Sequence, residues 1–201
     1  ISDPTGRIST PTSERSAEMI DLLTVEKEFI SSHIKKGGVA ADFTMGNGHD
    51  TLWLSRQVGE EGRVYAFDIQ PAALEHTRAL LESSDCPENY TLILDSHANA
   101  GEYIKERLCA GMFNLGYLPG SDKKITTLRE STMKAVVTAL DLLEDGGGLL
   151  VAVYPGHEEG TLEGLMLDDY FASLDRKKIS VSKLKIVNSP SSPFFFLAEK
   201  K

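Results

Sequence analysis

Cysteine and long apolar runs are scarce in this chain, and each scarcity excludes a class of protein. Two cysteines, Cys86 and Cys109, among 201 residues make neither a disulfide framework nor a zinc-ligand spacing, which fits a reducing, cytoplasmic setting. No apolar stretch nears the roughly 18–20 residues that a membrane helix needs; the densest are 148–154 and 194–197. Neither a signal-peptide pattern nor a solenoid-type repeat is present. His49, His97 and His157 show no H-x-x-x-H or carboxylate spacing, so no metal site is expected. Bases are missing from one long stretch: residues 135–175 hold nine acids and no Lys or Arg. The remainder carries 21 acids against 21 bases, so the net charge of −9 is local in origin.

What is present describes an ordinary globule. Apolar residues make up 41% and charged residues 25%, which excludes wholesale disorder. The length suits one α/β domain. Residues 1–15, rich in Ser, Thr, Pro and Gly without apolar period, read as a loose tail, and 16–201 as the single domain. A helical pattern covers 16–34, with a break near Thr24. Short apolar runs at 39–43, 64–67, 90–94, 112–115 and 149–154 then alternate with amphipathic stretches at 50–58, 71–83, 99–108 and 127–143. Pro71 suits a first helical position, and Gly146–Gly148 would end the last of these helices. The alternation predicts right-handed crossovers and a parallel sheet. A helix at 162–174 and strands at 179–187 and 194–198 follow. Their short link, 188–193, forces those strands to pair antiparallel. The predicted fold is therefore α/β: a seven-stranded Rossmann-like sheet of five parallel strands plus a C-terminal hairpin, with helices on both faces.

Ligands of open α/β sheets bind beyond the carboxyl ends of the strands, so the residues there matter most. The first strand runs into Asp42-Phe43-Thr44-Met45-Gly46-Asn47-Gly48-His49-Asp50-Thr51, the second into Asp68-Ile69-Gln70, and the third into Asp95-Ser96-His97. Gly46 and Gly48 permit a tight turn and close approach of backbone to ligand at a helix start. A dinucleotide site wants a third glycine, and Thr51 stands in its place. Asp68 occupies the position of a carboxylate that takes ribose hydroxyls, and Asp95 is placed to hold an exocyclic amine. A ribose and an adenine without a demand for phosphate describe S-adenosylmethionine better than NAD. An acid at a strand end often only caps the next helix; three in register at successive strands argue for a site.

The fourth strand ends Asn114-Leu115-Gly116-Tyr117-Leu118-Pro119, a stiff loop that offers an amide oxygen and an aromatic ring. Such a loop can accept hydrogen bonds from a target nitrogen and stack on a flat substrate; the plainer alternative has Tyr117 packing on the sheet and Asn114 closing a turn. The fifth strand ends Tyr154-Pro155-Gly156-His157-Glu158. His33 and His76 fall within helices and read as surface or packing residues. Two basic groups, Lys123, Lys124, Arg129 and Lys134, and Arg176, Lys177, Lys178, Lys183 and Lys185, either coat a solvated surface or meet phosphates.

Together these motifs, with Asp122-Lys123, resemble a small bacterial family long labelled rRNA methylase, over about residues 30–199. Phe43 stands where the family usually carries Ala. Ser121 interrupts a usual Gly-Gly-Asp-Lys, and Ser191-Ser192-Pro193 replaces a Pro-Pro pair. The resemblance implies a class I methyltransferase fold and S-adenosylmethionine as cofactor. The substrate it implies is 5-aminomethyl-2-thiouridine in a tRNA anticodon stem-loop, and the assembly a homodimer. It assigns the cofactor to Gly46, Asn47, Gly48, Asp68, Gln70, Asp95, Ser96 and His97, and the neighbouring Asp42, Thr44, Asp50, Thr51, Ile69 and Asn114 are expected to complete that site. Catalysis would rest on Asn114, Tyr117 and His157. Leu115, Gly116, Tyr117, Leu118, Pro119, Lys123, Tyr154, Pro155 and Glu158 would meet the substrate, and His157 or Glu158 would take a proton.

Overall fold

A computed structural model of the chain describes residues 22–116, 129–156 and 158–201. Its seven strands are β1 (Val39–Asp42), β2 (Arg63–Asp68), β3 (Tyr90–Leu94), β4 (Leu108–Leu115), β5 (Leu143–Val153), β6 (Ile179–Lys185) and β7 (Phe194–Lys200). They form one sheet in the order β3-β2-β1-β4-β5-β7-β6. The first five are parallel; β7 runs antiparallel to both β5 and β6. The predicted sheet and its hairpin are both there.

The inner parallel strands β1, β2, β4 and β5 are buried on both faces over most of their length, as parallel strands under two helical layers must be. Neighbouring residues alternate between two cores. Ala40, Met112, Leu150 and Phe195 join Ile30 of α1 (Leu22–Ser31) and Leu54 and Val58 of α2 (His49–Val58). Ala41, Phe113, Val151 and Phe196 join α5 (Arg129–Leu142) and α6 (Glu158–Ser173) through Val136, Leu140, Leu167 and Phe171. The helix α3 (Pro71–Ser83) begins on its proline as expected. Phe43, the departure from the family's Ala, stacks 4.3 Å from Phe113 and lies parallel to Phe67. Gly111 makes room for it: a Cβ there would lie 3.0 Å from the Phe43 ring and 2.8 Å from Leu149.

Two expectations fail. The helix expected over 99–108 shrinks to a 3-10 turn, His97–Asn99, and the short α4 (Ala100–Tyr103), because Leu108–Gly111 already belong to β4. Gly146 does take a left-handed φ of +79°, but within β5, where the pairing with β4 shifts register, and not as a helix cap. The carboxyl end of α5 is instead closed by cations. Lys200 Nζ donates to the carbonyls of Leu143 (2.8 Å), Asp141 (3.2 Å) and Leu140 (3.4 Å), and Arg107 also donates to Asp141. His33 lies in the turn after α1 and not within a helix, and it packs with its ring against Phe29 and its Nδ1 2.9 Å from the Gly146 carbonyl. Among the described residues no helix is long and apolar enough to cross a membrane.

Candidate functional site

The turn after β1 is built from behind by a buried carboxylate. Asp42, with no exposed surface, accepts hydrogen bonds from the Thr51 hydroxyl at 2.6 Å and the Thr44 amide at 3.1 Å. Burial, with Asp50 adding repulsion, raises its pKa to about 7. Gly46 and Gly48 then take φ of +53° and +85°, a region closed to most side chains. The Gly48 position is also sterically filled, since a Cβ there would lie 2.7–2.9 Å from Thr77. In front, the Gly46 amide donates to Asp68 at 3.0 Å and its carbonyl accepts from Thr77. The sequence expectation has Asp42 and Thr51 touching the cofactor; both are fully buried, and their bonds brace the turn that carries Gly46 and Gly48.

Along the rim, Asp68 also accepts the Gln70 amide at 2.9 Å. Asp95 accepts from Tyr103 at 2.8 Å, from Asn99 and from the Ser96 amide. Those bonds, the Tyr103 one foremost, hold the Asp95 carboxyl below the usual carboxylate range. Between the two carboxylates stand Ile69 and Leu94, about half exposed, as apolar surface on which a flat ring can lie. Carboxylates for hydroxyls and an amine, beside a left-handed glycine loop, fit an adenosine-bearing cofactor. The buried His97 ring holds its Nδ1 2.9 Å from the Phe43 carbonyl, and burial lowers its pKa. A neutral ring that donates to a main-chain carbonyl fastens the first loop to the third strand's end.

At the end of β4, Asn114 occupies the centre of a network. Its backbone amide donates to Thr44 Oγ1 at 2.6 Å, and its Nδ2 donates to Asp50 Oδ2 at 2.7 Å. Its Oδ1 accepts from the Tyr154 hydroxyl at 3.3 Å. Asp50 is paired on its other oxygen with Lys27 at 3.0 Å, and the Lys27 ammonium lies 5.3 Å from the Trp53 ring centre. Burial raises the Tyr154 pKa, with Glu26 and Asp50 adding to it, so the phenol stays protonated. The structure thus gathers Thr44, Asp50, Asn114 and Tyr154, contributed by the turn after β1, by α2, by β4 and by the residue that follows β5.

Other expected substrate residues divide. Leu115 is fully buried in the core, since strand alternation turns it away from the face that Asn114 uses. Gly116 adjoins the Tyr154 ring, the Pro155 carbonyl accepts from Thr161, and Glu158 is exposed at the start of α6. Tyr117, Leu118, Pro119, Lys123 and His157 lie outside the described residues. Sequence reasoning missed Lys27 and the buried Glu26. The signal was a charge on a helix's apolar stripe: Glu26 falls four residues before the core residue Ile30.

A family described as "Putative rRNA methylase" matches residues 64–200 of this chain. A curated Arabidopsis thaliana protein, named tRNA (mnm(5)s(2)U34)-methyltransferase, chloroplastic, is 34% identical over 181 residues. That match takes in 84% of this chain and 65% of that protein, so the chain spans just under two thirds of the relative's length. Among solved structures, the "putative rRNA-methylase" of Clostridium thermocellum superposes with a TM-score of 0.88 at 36% identity. The "putative methyltransferase" of Streptococcus mutans, solved in complex with SAH, does so with 0.83 at 35% identity. Each covers 91% of this chain and 99% of its own.

Proposed function

This chain belongs to the rRNA methylase family, and on that premise we propose that it is an S-adenosylmethionine-dependent N-methyltransferase of tRNA. Its substrate in this reading is the aminomethyl group of 5-aminomethyl-2-thiouridine at the wobble position, and its product the 5-methylaminomethyl form. The observation that carries it is the Asn114 amide, fixed at the end of β4 with its carbonyl oxygen beside Tyr154. The Arabidopsis relative, named for this kind of nucleoside, supports the choice of tRNA.

The left-handed loop at Gly46 and Gly48, Asp68, and Asp95 with Ile69 and Leu94 between them would hold the cofactor. Asn47, Gln70 and Ser96 border that surface. When bound, S-adenosylmethionine supplies an activated methyl group on sulfur. The chain's own part is alignment, which is worth several orders of magnitude when it holds two reactants in attack geometry. The Asn114 carbonyl oxygen accepts an N–H of the target amine and so turns the nitrogen lone pair toward the donor. Asn114 backbone and side chain are held by three elements, which lowers the cost of that alignment. His157 and Glu158 retain their proposed share in proton removal, and Tyr117 its stacking role. The partner is the tRNA anticodon stem-loop, the protein a homodimer and its location cytoplasmic in this reading.

The test is methyl transfer to tRNA carrying 5-aminomethyl-2-thiouridine, read by nucleoside mass spectrometry. Conversion to the methylaminomethyl nucleoside supports the reading; absence of transfer while S-adenosylmethionine binds would end it. The family's description favours a second reading, methylation of a ribosomal RNA base. The same assay on unmodified ribosomal RNA separates the two, since only one substrate should gain a methyl group.

A further inference from the structure

We propose that Asp50 is a positioning residue, which, braced by Lys27, fixes which way the Asn114 amide faces. The inference rests on the reading of Asn114 as the group that meets the target amine. An Asn side chain presents an oxygen and an NH2 group of nearly the same shape, and a turn about its last bond exchanges them. Only the oxygen can accept an N–H from an amine nucleophile; the flipped amide would offer a donor to a nitrogen that needs its lone pair free. Something must therefore choose the orientation.

Asp50 makes that choice. An ionised carboxylate accepts and never donates, so the 2.7 Å contact to Asp50 Oδ2 must be made by Nδ2 of Asn114. The oxygen is then directed at Tyr154, whose hydroxyl donates to it at 3.3 Å. A carbonyl oxygen has two lone pairs, so one acceptor site remains for a substrate N–H after Tyr154 has taken the other. Lys27 keeps the carboxylate in place through Oδ1, opposite the oxygen that Asn114 uses, and its ammonium rests near the Trp53 ring. Four elements thus meet in one chain of contacts, from α1 through α2 and β4 to β5. The helix α1 thereby acquires a part in the chemistry that its sequence did not announce.

Exchanging the partners tests this. In Asp50→Asn both side chains are amides and either orientation can form. In Asn114→Asp two carboxylates face each other. In the double variant Asp50→Asn/Asn114→Asp, an amide NH2 again faces a carboxylate, with an oxygen directed at Tyr154. We expect each single variant to lose roughly 10²-fold in kcat, the scale of a small misplacement in an aligned site. SAH affinity, measured by calorimetry, should stay within about twofold, because the network bears on the amine side. The double variant should recover at least about tenfold over Asn114→Asp, as coupled partners do. A double variant no better than the worse single one overturns the proposal. So does loss of SAH binding in Asp50→Asn, which would make Asp50 a direct cofactor ligand. A substrate-free reading separates failure here from failure of the proposed function. In Asp50→Ala the Asn114 side-chain NH2 protons should exchange with solvent faster in NMR spectra, and unchanged exchange refutes the bond's role whatever the enzyme methylates.

Discussion

Replacing Asp42 by Asn should stabilise this protein, and by an amount that grows with pH. The carboxyl is fully buried, and its pKa rises from an ordinary 3.8 to about 7, chiefly through burial and secondarily through Asp50. In the unfolded chain the proton leaves near pH 4, whereas the folded protein keeps it until about pH 7. Between those limits the native state binds more protons, so stability falls as pH rises, and the loss is complete above about pH 7. About three pH units at 1.36 kcal/mol each make roughly 4 kcal/mol. Asn carries no charge to desolvate. Its oxygen can keep the Thr44 amide bond, and its NH2 can donate to the Thr51 hydroxyl, which needs only to rotate.

Urea unfolding of both proteins at pH 4, 6 and 8 reads the effect. The advantage of Asp42→Asn should be near zero at pH 4 and approach about 4 kcal/mol at pH 8. Asp42→Ala is the control: it strands the Thr44 amide and the Thr51 hydroxyl and should cost about 1–3 kcal/mol at acidic pH. Because Asp42 sits behind the glycine loop, Asp42→Asn should also keep its affinity for SAH. A stability difference that does not change between pH 4 and 8 would refute the electrostatic argument. Loss of SAH binding by a folded Asp42→Asn would refute its placement behind the loop.

Gly48→Ala meets both a φ of +85° and the Thr77 backbone at 2.9 Å. Strain and overpacking together should cost about 3 kcal/mol in thermal unfolding and weaken SAH binding at least tenfold. Lys200→Met releases three carbonyls at the end of α5 and should lower stability by about 1–2 kcal/mol in urea unfolding, with turnover unchanged. If tRNA binds over the rim, Lys185→Ala should reduce the salt slope of affinity in filter binding by about one unit. The triple variant Arg176→Ala/Lys177→Ala/Lys178→Ala should leave that slope unchanged.

The sheet was legible because its signals are local and redundant. Apolar runs, a proline at the start of α3 and a link too short for a crossover each point to the same topology. Legibility failed where small residues left the pattern ambiguous. Leu108–Gly111 lack the β-branched and aromatic side chains that mark a strand, and they are strand only because β1 and β5 flank them. The glycines at 146–148 have the pattern of a helix cap, yet two cations distant in sequence close that helix. At the site, residue types at strand ends are legible in the sequence, and the proposed rim is drawn from them. Orientation was not encoded locally: whether Asp42 or Asp68 faces the ligand depends on burial, and whether His97 binds or braces depends on the Phe43 carbonyl. Lys27 was invisible for the same reason, since only the tertiary fold brings Lys27 of α1 to Asp50 of α2.

Register also changes what the charge permits. The second basic group looks continuous in sequence, but β6 separates its members along its whole length. Lys185 pairs opposite Phe194, which in turn lies opposite Val153 at the rim end of β5. Ile179 pairs with Lys200 at the other end, so Arg176–Lys178 stand about 20 Å from the rim, at roughly 3.4 Å per residue. Lys183 is committed to Asp168 at 2.5 Å and lies over the Phe194 ring. Of that group, only Lys185 is placed to meet a phosphate backbone engaged at the site. On the α5 side, Lys134 reaches Asn99 beside Asp95 and Arg129 begins the helix. Among the described residues the basic side chains beside the rim therefore form a narrow edge and not a broad face. Under the proposed tRNA reading, such a footprint suits a single hairpin loop better than an extended duplex, because few phosphates can be neutralised at once.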